Sequence, residues 1–80
     1  MPRRRVSPEE ALGDALREAR LKVGLSQEAL GDACDRHRTY ISLLERGKHS
    51  PSVKTLFSLA EVLETTPSKL LGRVEDLLGE

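Results

Sequence analysis

A single cysteine, Cys34, leaves the chain without an internal disulfide and without the several ligands a zinc centre requires. The two histidines, His37 and His49, stand at spacings from Cys34 that match no metal-binding pattern, so neither a metal nor another cofactor is expected. Tryptophan is absent, and tyrosine and phenylalanine occur once each, so the core has to be built from aliphatic side chains. No apolar run is long enough to span a bilayer. The Arg3-Arg4-Arg5 cluster leads to Ser7-Pro8-Glu9-Glu10 where a signal peptide would continue into an apolar stretch, and the expected location is cytoplasmic, with no membrane partner. Strand-forming alternation, internal repeats and low-complexity tracts are missing as well. No nucleophile, base and orienting group stand together, and no glycine-rich loop follows a strand, which removes support for an enzyme.

Net charge is lacking too, with 13 basic and 13 acidic residues, and the isoelectric point near 6.7 lacks the strong basic bias usual in nucleic-acid binders. The distribution is far from even. Residues 35–54 hold five Lys or Arg against two Asp or Glu, whereas residues 55–80 hold two against five. A basic patch beside an acidic far end is a dipole that orients approach to a polyanion without any net charge. The length of 80 residues suits one domain with one core. Residues 1–6 are expected to form a flexible basic arm and residues 7–80 the domain.

What is present is helical punctuation. Ser7-Pro8-Glu9-Glu10 combines an N-cap, a first-turn proline and the glutamate of a capping box. Helix 1 then runs to about Val23 with an apolar stripe of Leu12, Leu16, Ala19 and Val23, and Gly24 ends it. Ser26 caps helix 2, expected over Gln27 to Cys34, with Leu25 and Leu30 as a hydrophobic staple and Gly31 allowing a close crossing. Cys34 is assigned to the inward face as a buried structural thiol. Helix 3 is expected from Arg38 to Glu45, with Ile41 and Leu44 inward and Gly47 closing it. Ser52 caps helix 4, whose stripe is Val53, Leu56, Leu59, Ala60 and Leu63. Thr66-Pro67 starts a fifth helix with Leu70 and Leu71 toward the core, interrupted or not at Gly72. The fold class is therefore all-α with five helices.

Two short helices joined by a tight turn at Asp35 and Arg36 read as a helix-turn-helix over residues 27–45. The segment resembles the DNA-binding domains of lambdoid phage repressors, of Cro and of XRE-type bacterial regulators, including the controller proteins of restriction-modification systems. The likeness extends from Leu12 through Glu45-Arg46-Gly47-Lys48, Pro51-Ser52, Leu56, Leu59-Ala60, Leu63 and Pro67 to Leu70-Leu71. Two positions depart from it. Asp35 stands where the family usually has glycine, a substitution aspartate tolerates because it enters the left-handed region more readily than most residues. Leu43 stands where a polar base-reading residue is common.

The outward face of helix 3 carries Arg38, Thr39, Ser42 and Leu43 as candidate base contacts. Arg38 leads because a guanidinium bonds two acceptors of guanine in the major groove. Leu43 touches a thymine methyl or is simply a scattered surface leucine. Phosphate contacts are assigned to Gln27, His37, Tyr40, Arg46, Lys48, Ser50 and Ser52: Gln27 by resemblance as a clamp at the start of helix 2, His37 when protonated, and Tyr40 from the edge of the core. The resemblance places Arg46, Lys48, Ser50 and Ser52 on the opposite backbone. Arg20 and Glu45, each one turn beyond a core residue, are expected to pair. Arg3-Arg4-Arg5 either follows a minor groove or merely solubilises the chain.

Val74, Leu77 and Leu78 extend beyond the core of so small a domain and are the expected homodimer interface; the alternative is that this stripe folds back over helix 1, with dimerisation only on DNA or through helix 4. A twofold dimer on double-stranded DNA with a palindromic operator, and no small-molecule effector, is what the resemblance to stand-alone regulators implies. An antitoxin of the same fold, using its acidic C-terminal half to hold a toxin protein, is the competing reading.

Overall fold

The computed structural model describes residues 6–79, and among them are five helices and no strand. They are α1 (Pro8–Val23), α2 (Gln27–Ala33), α3 (Arg38–Glu45), α4 (Val53–Val62) and α5 (Pro67–Gly79). The arginines of the basic arm, Arg3, Arg4 and Arg5, lie outside the described residues. Val6, grouped with that arm by sequence, packs half-buried against the core.

The caps follow from the local sequence. The Glu10 amide donates to Ser7 Oγ and the Ser7 amide donates to Glu10 Oε1, both at 3.0 Å, so two otherwise orphaned donors of α1 are satisfied reciprocally. Gly24 sits at φ 79°, and the Leu25 amide reaches back to the Arg20 carbonyl at 3.1 Å, a left-handed closure that suits glycine. Ser26 and Ser52 accept from the amides of Ala29 and Thr55, and Thr66 accepts from that of Lys69. Asp35 takes φ 57°, the conformation expected at that turn. Glu64 takes the same φ without any sequence signal for it, closing α4 through a bond from the Thr65 amide to the Ala60 carbonyl.

The core joins Ala11, Ala15 and Leu16 of α1 to Leu30, Ile41, Leu44, Leu56, Leu59, Ala60, Leu63, Leu70 and Val74. The buried face of α1 is thus rotated from the stripe read in sequence, leaving Leu12, Ala19 and Val23 only half-buried. Gly13 explains the rotation. A Cβ there would lie 2.5 Å from the Leu44 carbonyl oxygen and 2.6 Å from that of Glu45, so α1 crosses the end of α3 backbone to backbone. Gly31 performs the same service between α2 and the turn before α3, where a Cβ would lie 2.6 Å from the Arg36 carbonyl oxygen.

Four expectations are corrected. Val74 is 7% exposed and belongs to the core, because α5 lies along α1 and its inner stripe is Leu70, Val74 and half-buried Leu77; only Leu78 of the three expected interface residues is exposed. Leu71 points outward, one step round the helix from Leu70. Val53 is 72% exposed, since the first turn of α4 borders an open apolar groove shared with Pro8, Leu12, Pro51 and Leu71 instead of the core. Cys34 is the C-cap of a shorter α2 and is half-buried. The helix α5 runs unbroken through Gly72, where a side chain would meet open space.

Candidate nucleic-acid interface

The turn that positions α3 begins at Asp35 and ends at His37, which is an unusual N-cap. His37 Nδ1 accepts from the Thr39 amide at 3.0 Å and lies 2.9 Å from Thr39 Oγ1. With Nδ1 used as an acceptor, the neutral ring carries its proton on Nε2, so His37 has a donor to offer without being charged. Histidine is seldom a cap, and no sequence signal marked it.

Below the turn, a polar network fixes α2 and α3 on α1. Arg20 Nε donates to Glu45 Oε2 at 2.7 Å and Nη2 donates to Oε1 at 3.0 Å, a forked pair whose side chains are 10% and 3% exposed. The remaining arm of the guanidinium donates to the Leu25 carbonyl at 2.9 Å. Hydrogen bonding to Glu45 raises the Arg20 pKa above its ordinary value, outweighing the opposite effect of burial. Gln27 Nε2 also donates to Glu45 Oε1, at 3.0 Å. The first side chain of α2 is therefore already held by the core pair, keeping one amide hydrogen and its carbonyl oxygen for an outside partner.

On the opposite side of α3, Arg38 and Thr39 are exposed at its first turn, and Ser42 and Leu43 are half-buried. Leu43 is thus less protruding than its place on the outward face suggested. Arg46, Lys48, Ser50 and Ser52 are exposed along the segment that follows α3. Gly47, at φ 72°, allows that segment to turn sharply beside α1, where a Cβ would lie 2.6 Å from Glu10 Cγ. Tyr40 is half-buried with the Arg36 guanidinium 4.7 Å over its ring and the His49 ring edge-on at 5.4 Å. Arg36 and Thr55, linked by a hydrogen bond from Nη2 to Oγ1 at 3.1 Å, were not identified from the sequence, where 19 positions separate them.

The result is one helix end with exposed hydrogen-bonding groups and a following loop rich in donors, beside a seven-residue helix locked in place by a buried ion pair. No group of metal-ligating side chains occurs among the described residues. No described helix is long and apolar enough to cross a membrane. Fold and surface together define a DNA-binding protein of the helix-turn-helix class.

The chain belongs to the helix-turn-helix family of XRE type, whose profile matches residues 16–70. It is 42% identical over 60 residues to the control protein C.BamHI of Bacillus amyloliquefaciens, covering 74% of each chain. It is 41% identical over 64 residues to the control protein C.SmaI of Serratia marcescens, covering 80% of this chain and 76% of that one. The crystal structure of the clp gene regulator ClgR from Corynebacterium glutamicum superposes with a TM-score of 0.90 at 29% identity, over 95% of this chain and 81% of that one.

Proposed function

We propose that the chain is a transcriptional regulator that binds a palindromic operator as a homodimer, with α3 in the major groove. The observation that carries this reading is the division of α3. Ile41, Leu44 and Glu45 are buried, while Arg38 and Thr39 stand exposed at the end that would enter a groove first. Arg38 is the principal base-reading residue, opposite guanine, with Thr39, Ser42 and Leu43 contributing narrower contacts. Gln27, His37, Tyr40, Arg46, Lys48, Ser50 and Ser52 hold phosphates on the two sides of the groove, which fixes register without reading sequence. The relatives named as control proteins and as an HTH-type transcriptional regulator support the assignment.

A twofold pair of such domains would set two copies of α3 about 34 Å apart, one DNA turn. Exposed Leu78 and half-buried Leu77 on α5 are the apolar groups a second copy would cover. Selection of bound sequences from a random duplex pool tests both halves of the proposal. Recovery of an inverted repeat with half-site centres one turn apart is expected. Enrichment of a single asymmetric site would refute the dimeric reading, and no enrichment at all would refute sequence-specific binding.

A further inference from the structure

The helices that pack closely on one another are α1 with α3 and α5, α2 with α3 and α4, and α4 with α5. The pair α3 and α4 is not among them, although the proposed base contacts lie on one and the proposed phosphate contacts lead into the other. A side chain fills that role. Arg36 sits in the turn between α2 and α3, its own backbone held by a 2.8 Å bond from its amide to the Gly31 carbonyl. Its guanidinium carbon lies over the ring of Tyr40 of α3, 4.7 Å from the centroid, and Nη2 donates to Thr55 Oγ1 of α4 at 3.1 Å. Thr55 is buried, and its Oγ1 also accepts from Ser52 Oγ at 3.0 Å, the hydroxyl that caps α4. Tyr40 also meets His49 in the intervening loop, with ring centroids 5.4 Å apart. One cation therefore touches both helices and is linked through its two partners to the loop between them.

We propose that Arg36 is a positioning residue for DNA binding. Its guanidinium bridges Tyr40 to Thr55 and sets the spacing between the helix that reads bases and the loop that grips phosphates. The inference rests on α3 being the recognition helix. A planar guanidinium suits the task because it can stack on a ring and donate in its own plane at the same time, which an ammonium cannot.

The test compares the wild type with Arg36→Lys, Thr55→Val and the double variant, by equilibrium binding to the selected duplex across a salt series. Each single substitution is expected to weaken binding about three- to tenfold, the usual scale for a stacked or hydrogen-bonded contact. The double variant should be no weaker than the poorer single one, because both break the same bridge, and the salt slope should match that of the wild type. A silent Thr55→Val would mean that the bridge does not position the two elements, and an Arg36→Met variant whose salt slope falls by about one would mean that Arg36 touches a phosphate itself; either result would overturn the proposal. Tyr40, the only tyrosine, supplies a readout that needs no DNA. Its ring proton resonances should move in Thr55→Val, which leaves Tyr40 and Arg36 intact and removes the oxygen that accepts from the guanidinium and from Ser52 Oγ. Unmoved resonances in a folded Thr55→Val protein would refute the bridge even if the wild type bound no duplex, a result that would separately refute the recognition-helix reading.

Discussion

Glu45→Ala should be among the costliest single substitutions in this domain. It leaves the Arg20 guanidinium, whose side chain is 10% exposed, with only the Leu25 carbonyl, and it releases Gln27 as well. Removing one partner of a buried pair costs about 3–5 kcal/mol. The surviving bond to Leu25 favours the lower end, and relief of a carboxylate at the C-terminal end of α3 returns about 0.3–1 kcal/mol. The expected loss is therefore about 3 kcal/mol, against a total of roughly 4–12 kcal/mol for a domain of this length. With a urea slope of about 1 kcal/mol per molar, the low end for small proteins, the midpoint should fall by about 3 M. The molecule carries its own control. Arg73 and Glu18 form a fork of similar geometry, at 2.9 and 3.1 Å, but are 40% and 52% exposed. Glu18→Ala should cost no more than about 1 kcal/mol. The hydrogen bond from Arg73 lowers the Glu18 pKa, so even this small contribution is present above the ordinary carboxylate range and fades as the pH falls through the lowered value. Equal midpoint shifts for the two variants, or a loss below about 1 kcal/mol for Glu45→Ala, would refute the argument from burial.

Arg38→Ala should cost about 1–3 kcal/mol on the selected site and relax its sequence preference, whereas Lys48→Ala should weaken all duplexes alike and lower the salt slope by about one; identical behaviour would refute the division of roles. Leu78→Asp should leave the circular dichroism spectrum intact while shifting sedimentation from dimer to monomer, and an unchanged dimer would remove this face of α5 from the interface. Glu64→Gly should raise stability by about 0.5–1 kcal/mol, because relief of the strain of a glutamate at a left-handed φ of 57° outweighs the larger chain entropy that glycine loses; a loss in the urea melt would refute that balance. Cys34 is partly buried, which pushes its thiol pKa up against the opposing pull of Arg36, so at pH 8 it should react with iodoacetamide more slowly than a free cysteine. A faster rate would mean that the cation dominates.

Local chemistry made most of the fold legible. Ser7, Ser26, Ser52 and Thr66 announce helix starts because each places an oxygen within reach of amides three residues ahead, and Gly24 and Gly47 announce ends because glycine accepts the left-handed region without strain. What escaped was decided by distant partners. The rotation of α1 depends on Gly13 meeting the end of α3, about 30 positions along the chain, and periodicity alone cannot weigh a missing side chain. Val74 looked surplus to a small core until α5 lay along α1 and used it. The exposure of Arg38 and Lys48 was legible from register and residue type. The contacts of Arg36 with Tyr40 and Thr55 were not legible, because they join separate elements of the fold.

The glycine contacts around the recognition helix have a consequence for how this protein can change over generations. Gly13 meets the end of α3 and Gly31 the turn before it, both through backbone atoms, and Gly47 meets the backbone and Cγ of Glu10 in α1 just after it. The placement of α3 thus depends little on which side chains it displays outward. If α3 reads bases as proposed, substitutions at its exposed Arg38 and Thr39 would exchange one DNA target for another while the domain goes on folding, so the scaffold would resist drift while its address label is rewritten.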